Sequence, residues 1–340
     1  MEPQPSQPNS TNHEQPNPTK LPKATLLAPF NSANATAEKI CAAPIEYTQS
    51  LPGKNTLSRF IDSLAPWFSV KEEYLAPLRE ITSTLFTTIL ILDDIEDSSP
   101  LRRGHPSAHT QFGTAQTVNA ATYTLMSLTA SIHQRLGPEA LQVFLEEMQN
   151  LGKGQALDLH WTFMATCPTV EEYLGMVDLK TGSLFRLVVR WMSIGAKVGA
   201  RGVDGEVAGL VTLLGRYYQV RDDLLNLSGE YTATKGRCED LDEGKFSFPL
   251  VWLLQVRGVE VGKEIHGLLF GDAGQEGERR GVSDEIKERV VELMRASGTL
   301  EDTGKVLTEI LERILEALGR VEGRLGVNAG LRGLISRLRV

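Results

Sequence analysis

Apolar positions recur at three- and four-residue spacing from just after Pro52-Gly53 almost to the end of the chain, while strictly alternating runs bounded by hairpin turns are scarce. That pattern predicts an all-α fold. The helices it outlines cover about residues 55–67, 71–94, 114–134, 138–161, 170–196, 204–227, 245–256, 284–296 and 299–322. Two of these stretches, ITSTLFTTILIL (81–92) and VAGLVTLLGRYYQV (207–220), are apolar nearly all round, which places them inside a large bundle. The Gly-rich segment 271–282 reads as a surface loop, with Ser283 as N-cap of the helix after it. No short repeat and no linker interrupts the pattern, so one helical domain over 41–340 is expected. Residues 1–40 read as a disordered tail: Pro3, Pro5, Pro8, Pro16, Pro18 and Pro22 lie among Gln, Asn, Ser and Thr, with too little apolar surface to offset chain entropy.

Composition narrows the function classes. The 340 residues carry a net charge of −8 and a pI of about 5.4, which argues against a nucleic-acid partner, because phosphate backbones are bound by basic surfaces. Cys41, Cys167 and Cys238 are widely spaced and odd in number, so neither a disulfide framework nor a thiolate zinc site is expected, and a reducing compartment is. The chain shows no basic-then-apolar leader and no run of the ~18–20 apolar residues that spans a bilayer. A soluble, cytoplasmic or otherwise intracellular protein without an integral membrane segment is therefore expected, an organelle address being left open.

Chemistry concentrates at two helix ends. In ILILDDIEDSSPLRRG (89–104), Asp93 and Asp97 lie four apart, so on a continuing helix their carboxylates share one face with Cβ atoms ~5–6 Å apart. Two anions so placed repel each other unless a cation lies between them, and the helix C-terminus disfavours them further. An acidic run is usually a solvated helix end, but this one follows directly on an apolar helix and precedes two arginines. The same grammar recurs where VAGLVTLLGRYYQV runs into RDDLLNL: Asp222, Asp223 and Asn226 repeat the i, i+1, i+4 set of oxygens. An all-oxygen set selects a hard cation such as Mg²⁺, which shares phosphate oxygens and water. Arg102, Arg103, Lys180, Lys235 and Lys245 supply cations nearby; any one alone reads as a surface charge, while together they describe a carboxylate, metal and diphosphate site.

With these residues the chain resembles the trans-prenyl diphosphate synthases, most closely the fungal geranylgeranyl diphosphate synthase type. The matching segments are SLPGKN (50–55), LDDIEDSSPLRRGHPSAH (92–109), KGQALD (153–158), CPTVEEYLGMVDLKTGSLFRL (167–187), GRYYQVRDDLLNL (215–227) and EYTATKGRCEDLDEGKFSFPL (230–250). The resemblance implies a large single-domain helical bundle of the isoprenoid synthase type, active as a homodimer, that joins an allylic diphosphate to isopentenyl diphosphate. It implies that Asp93 and Asp97 bind two Mg²⁺ ions and Asp222 a third, with Asp94 and Asp223 as weaker candidates. By the same resemblance Arg102, Lys180, Lys235 and Lys245 hold the allylic diphosphate. Thr181, Gln219 and Asn226 would lie near the reacting carbons or the metal waters. Three cations and several lysines stabilise the departing pyrophosphate and so lower the barrier to an allylic cation.

The isopentenyl diphosphate half departs from the family pattern. Lys54 and Arg103 remain, but Leu57 stands where the family has Arg and Phe86 where it has His; Arg59 points off another side of its helix. Losing two such contacts costs several kcal/mol at roughly 1.5–3 each. His105 is a candidate replacement contact. Ile89 and Thr88, one turn before Asp93, are not aromatic, so a C20 product is expected over C15, with Phe86 shortening the pocket if it faces inward. Three readings follow. The first is a geranylgeranyl diphosphate synthase using farnesyl diphosphate. The second is a terpene synthase that ionises an allylic diphosphate without condensation, favoured by Leu57 and Phe86. The third is a non-catalytic subunit, disfavoured by the complete allylic half.

Overall fold

A computed structural model of the chain describes residues 31–53, 56–196, 204–228, 237–257, 259–270 and 281–339. Residues 1–30 of the expected tail, Lys54, Lys235 and residues 271–280 of the Gly-rich loop lie outside them. The chain divides into two units, Met1–Ile40 and Cys41–Val340. In chain order the helices are α1 (Asn31–Ser50), α2 (Thr56–Phe68), α3 (Glu72–Glu96), α4 (Ala108–Phe112), α5 (Thr114–Arg135), α6 (Pro138–Met164) and α7 (Val170–Gly195), followed by α8 (Asp204–Leu227), α9 (Glu239–Glu243), α10 (Phe248–Trp252), α11 (Val259–Phe270), α12 (Asp284–Ala296), α13 (Thr299–Leu325) and α14 (Ala329–Ser336). Two-residue strands β1 (Leu101–Arg102) and β2 (His105–Pro106) form a hairpin after α3.

The all-α expectation holds. Ile81, Leu85 and Ile91 of α3 and Val207, Leu210, Val211, Leu214, Tyr217 and Val220 of α8 are buried, as their all-round apolar character requires. A capping box on Thr169 and Glu172 starts α7, and Ser283 caps α12 through the Ile286 N–H. Contrary to expectation, α3 is long and apolar enough by length and composition to cross a membrane; half of that window is buried inside the bundle, as in any core helix of this length.

Other elements differ from the sequence reading for local reasons. The helix expected over 245–256 starts only at Phe248 and continues as a π turn over Leu253–Arg257, because the chain turns through a left-handed Gly244 at φ 67° and leaves Lys245 outside any helix. Besides the five-residue helices α4 and α9, the helices α1, α11 and α14 were not expected. The first is only weakly amphipathic and holds Pro44, the second carries Gly262 and Gly267, and the third is one short segment capped by the Asn328 side chain. Helix α1 begins at Asn31, within the segment read as tail.

Two glycines set the spacing of the central helices. A Cβ on Gly154 of α6 would lie 2.4 Å from the backbone nitrogen of Lys180 on α7, and one on Gly215 of α8 would lie 3.3 Å from the Gly182 Cα of α7. At Gly154 only hydrogen lets the backbones meet, and at Gly215 a side chain would force the neighbouring backbone to give by a few tenths of an ångström. Asp158 thereby comes to Lys180, and Gln219 to Thr181, each one turn beyond its glycine.

Candidate active site

Helix α3 ends at the first acidic cluster. Asp97 is its C-cap, its N–H bonded to the Asp93 carbonyl, and Ser98 turns left-handed at φ 56°. Asp93 and Asp97 thus share one face at the mouth of the bundle, and each meets a lysine. Lys180 Nζ lies 3.2 Å from Asp93 Oδ1 and donates to Asp158 Oδ2 at 2.8 Å, while Lys245 Nζ donates to Asp97 Oδ2 at 3.1 Å and stands 3.7 Å from Asp158 Oδ2. Gln155 on α6 bridges Glu96 at 2.7 Å and Asp93 at 3.4 Å. Carboxylates from α3 and α6 therefore alternate with ammonium groups, which resolves the repulsion expected of an i, i+4 pair.

Burial works against every charge here, and the neighbours decide the outcome. Burial opposes ionisation of Asp93, but Lys180, Lys245 and Arg102 outweigh it and hold the carboxyl well below the usual carboxylate range. Burial raises Asp97, helped by Asp93 and opposed by Lys245. Both lysines lose charge stabilisation through burial and regain more from Asp93, Asp97 and Asp158, so each holds its proton more firmly than a free lysine. Glu243, which accepts from Ser99 Oγ at 2.8 Å, is pushed up to about 7, by burial first.

The inner carboxylates do different work. Asp94 is 1% exposed and pairs with Arg102, whose Nε donates at 2.8 Å. The left-handed pair Arg103-Gly104 closes the hairpin that delivers this arginine and sends the next one elsewhere. Arg103 donates from Nη1 to the Leu51 carbonyl at 3.2 Å and packs on Gly53, where a Cβ would lie 2.9 Å from Nη1. Arg103 is thus set beside the residue preceding Lys54, as the homoallylic reading asks, whereas Arg102 is spent on Asp94. Leu57 packs half-buried against the core, Phe86 is half-buried, and Arg59 is exposed. His105 is exposed on the hairpin.

At the end of α8, Asp223 is 3% exposed and accepts from Tyr173 Oη at 2.5 Å, the Phe248 N–H at 2.6 Å and Gln219 Nε2 at 2.9 Å. These three donors tie Asp223 into the protein, while Asp222, the residue expected to bind metal, is half-buried beside it. Thr181 Oγ1 donates to Gln219 Oε1 at 2.8 Å. Asn226 is buried and accepts from the Asp240 N–H at 3.3 Å, tying α8 to α9.

Two short segments join the clusters. Lys180 reaches Asp93 while Thr181, its neighbour, reaches Gln219; Lys245 reaches Asp97 while Phe248, three residues on, reaches Asp223. The two acidic helix ends therefore flank one mouth. Among the described residues, no three side chains of His, Cys, Asp or Glu are gathered into a preformed metal group. The donors fit a hard cation all the same: Asp93 and Asp97 offer only oxygen, one turn apart, and already hold cationic partners, leaving the remaining ligand positions to phosphate and water.

The sequence profile of the polyprenyl synthetase family matches residues 38–280. The chain belongs to that family. Geranylgeranyl pyrophosphate synthase 3 of Zymoseptoria tritici is 41% identical over 316 residues, covering 92% of this chain and 85% of that protein. Variediene synthase of Emericella variicolor is 42% identical over 298 residues, 87% of this chain but 41% of its own length. Bifunctional sesterterpene synthase astC of Talaromyces wortmannii is 40% identical over 323 residues, 94% of this chain and 42% of its own length. The chain thus spans about two fifths of the length of these curated terpene synthases.

In this member of the polyprenyl synthetase family several residues beside the acidic ends carried no individual signal in the sequence. Asp158 and Gln155 lie within the KGQALD segment, but nothing there marks them as partners of Lys180 and Asp93. Tyr173 and Glu239 are buried and Glu243 half-buried beside the acidic ends, and only their place in family-like segments pointed to them.

Proposed function

We propose that the chain is a short-chain trans-prenyl diphosphate synthase, condensing farnesyl diphosphate with isopentenyl diphosphate to geranylgeranyl diphosphate inside the cell. The observation that carries this reading is the double bridge of Lys180-Thr181 and 245–248, which gathers two carboxylate sets and two lysines at one mouth. Near-full coverage of a geranylgeranyl pyrophosphate synthase supports it.

Asp93, Asp97 and Asp222 would hold three Mg²⁺ ions, which when bound neutralise the allylic diphosphate and stabilise it as a leaving group. Lys180 and Lys245, with Lys235, hold the same diphosphate by charge, exchanging part of their pairing with Asp93 and Asp97 for phosphate oxygens. The allylic C–O bond breaks with its electron pair leaving on the diphosphate. Thr181 and Gln219 present oxygen atoms beside the resulting cation. Lys54 and Arg103 hold isopentenyl diphosphate, whose double bond then adds to the cation with loss of a proton. Two copies of the chain would pair through α5, which carries no charged residue before its last turn and exposes Val118, Tyr123 and Met126.

The alternative is a terpene synthase that ionises the allylic diphosphate without condensation. It is favoured by Leu57 and Phe86, two half-buried apolar side chains where diphosphate contacts would stand. Incubation with Mg²⁺ and farnesyl diphosphate, with and without labelled isopentenyl diphosphate, separates the two. Label in a C20 diphosphate is expected. Volatile terpene formed without isopentenyl diphosphate would replace the first reading with the second, and no turnover of either kind would sink both.

A further inference from the structure

Tyr173 and Asp223 close a circuit between α7 and α8. The Tyr173 hydroxyl donates to Asp223 Oδ2 at 2.5 Å, Gln219 Nε2 donates to Asp223 Oδ1 at 2.9 Å, and Thr181 Oγ1 donates to Gln219 Oε1 at 2.8 Å, returning to the helix on which Tyr173 lies. The Phe248 N–H supplies the fourth bond, to Asp223 Oδ2 at 2.6 Å. Tyr173 is 1% exposed and stacks edge-on against Phe248 at 5.6 Å, so its hydroxyl has one direction to point.

The direction of each bond follows from what each group can do. A carboxylate that receives three donors only accepts, so the Gln219 amide must turn its NH₂ toward Asp223. Its carbonyl then faces Thr181, which must give its single hydroxyl proton to that carbonyl. With its single proton committed to Gln219, Thr181 has only oxygen lone pairs left to offer the site. A wall of acceptors is favourable beside a developing positive charge and unfavourable beside a negative one.

We infer that Tyr173 and Asp223 are positioning residues that fix the amide of Gln219, and through it the hydroxyl of Thr181, so that Thr181 turns lone pairs and not its proton toward the ionising carbon. The inference rests on the proposal that an allylic diphosphate is ionised here. It adds a role for a residue that no motif singled out, and it gives Asp223 the task of orienting Gln219.

The test measures binding with two probes in the presence of Mg²⁺: a non-ionisable allylic thiolodiphosphate, and an analogue carrying an ammonium at the ionising carbon. The intact protein should bind the ammonium analogue more tightly than the neutral one. In Tyr173→Phe, which keeps the ring packed on Phe248, that preference should fall about tenfold, at the low end of what outer partners contribute at ordered sites. Affinity for the neutral analogue should stay close to the parent value, while the melting temperature should fall, because the buried Asp223 carboxylate loses one of its three donors. Thr181→Val should lose the preference to at least the same extent, and the double variant should lose no more than Thr181→Val alone. Retained preference in Tyr173→Phe, or additive losses in the double variant, would overturn the inference while leaving the diphosphate site standing. Failure of the parent protein to bind the neutral analogue would remove the reading beneath it instead.

Discussion

The ends of α3 and α8 carry the same run of acidic residues, yet the fold treats their inner carboxylates in opposite ways. Asp94 is neutralised by a full charge, Arg102, brought back by a hairpin eight residues on. Asp223 is held by neutral donors only, from a tyrosine 50 residues away, an amide one turn back and a backbone N–H. Both are buried anchors, while Asp93 and Asp97 pair with Lys180 and Lys245 and Asp222 is half-buried. Spacing alone makes Asp93 and Asp94 look like equal ligands. Which one faces the site is settled by where a partner can reach from behind.

The largest expected effect separates outer from inner carboxylates. Asp93→Ala and Asp222→Ala should each lower turnover by on the order of 10³-fold or more, since either removes charge stabilisation from the leaving diphosphate. Asp93→Ala should cost less stability than Asp94→Ala, because Lys180 keeps Asp158 while Arg102 would keep no comparable partner. Steady-state kinetics and urea unfolding of the same preparations check both statements; full activity in either variant would remove the site assignment.

The inner carboxylates should behave in the reverse order, with stability lost first. Asp94→Ala strands a buried guanidinium and should cost about 3–5 kcal/mol. Asp223→Ala strands three neutral donors, and at ~1–3 kcal/mol each for unsatisfied buried groups should cost about 3 kcal/mol or more. A denaturant midpoint close to the parent in Asp94→Ala would show that Arg102 finds another partner and would blur the contrast between the two ends.

The smallest effect concerns the segment that ties both ends together. Burial raises Glu243 to about 7 from the ordinary 4.5, so the folded protein keeps a proton that the unfolded chain releases. That contribution to stability is fully present below about pH 4.5 and is lost as pH rises through about 7. Glu243→Gln, which does not titrate, should therefore lose less stability than the parent between pH 5 and pH 7.5, by on the order of 2 kcal/mol. Urea midpoints across that range measure it, and an equal or steeper loss in the variant would contradict the raised value.

Much of this was legible in the sequence. Apolar periodicity outlined α2, α3, α5, α6, α7, α8, α12 and α13 to within a few residues, because burying one face or all faces of a helix dictates spacing along the chain. Acidic spacing marked both helix ends, since i, i+4 neighbours share a face wherever the helix goes. The resemblance assigned Lys180, Thr181, Gln219 and Lys245 to one site; in the fold the two lysines share Asp158 and Thr181 bonds Gln219. The helices α1, α11 and α14 were not legible, being short, weakly amphipathic or rich in glycine, and held by packing more than by pattern.

By itself, then, the chain's sequence determined an all-helical bundle, the residues that bear charge, and the turn of helix on which each stands, because these depend on neighbours within four positions. Only the tertiary structure decided that Asp158 completes the pairing of both lysines, that Arg102 turns inward to Asp94 while Arg103 lies on Gly53, and that Asp223 orients Gln219. Those outcomes depend on contacts between residues far apart in sequence, made where Gly154 and Gly215 let the helix backbones touch, and helical periodicity carries no information about which backbones will meet.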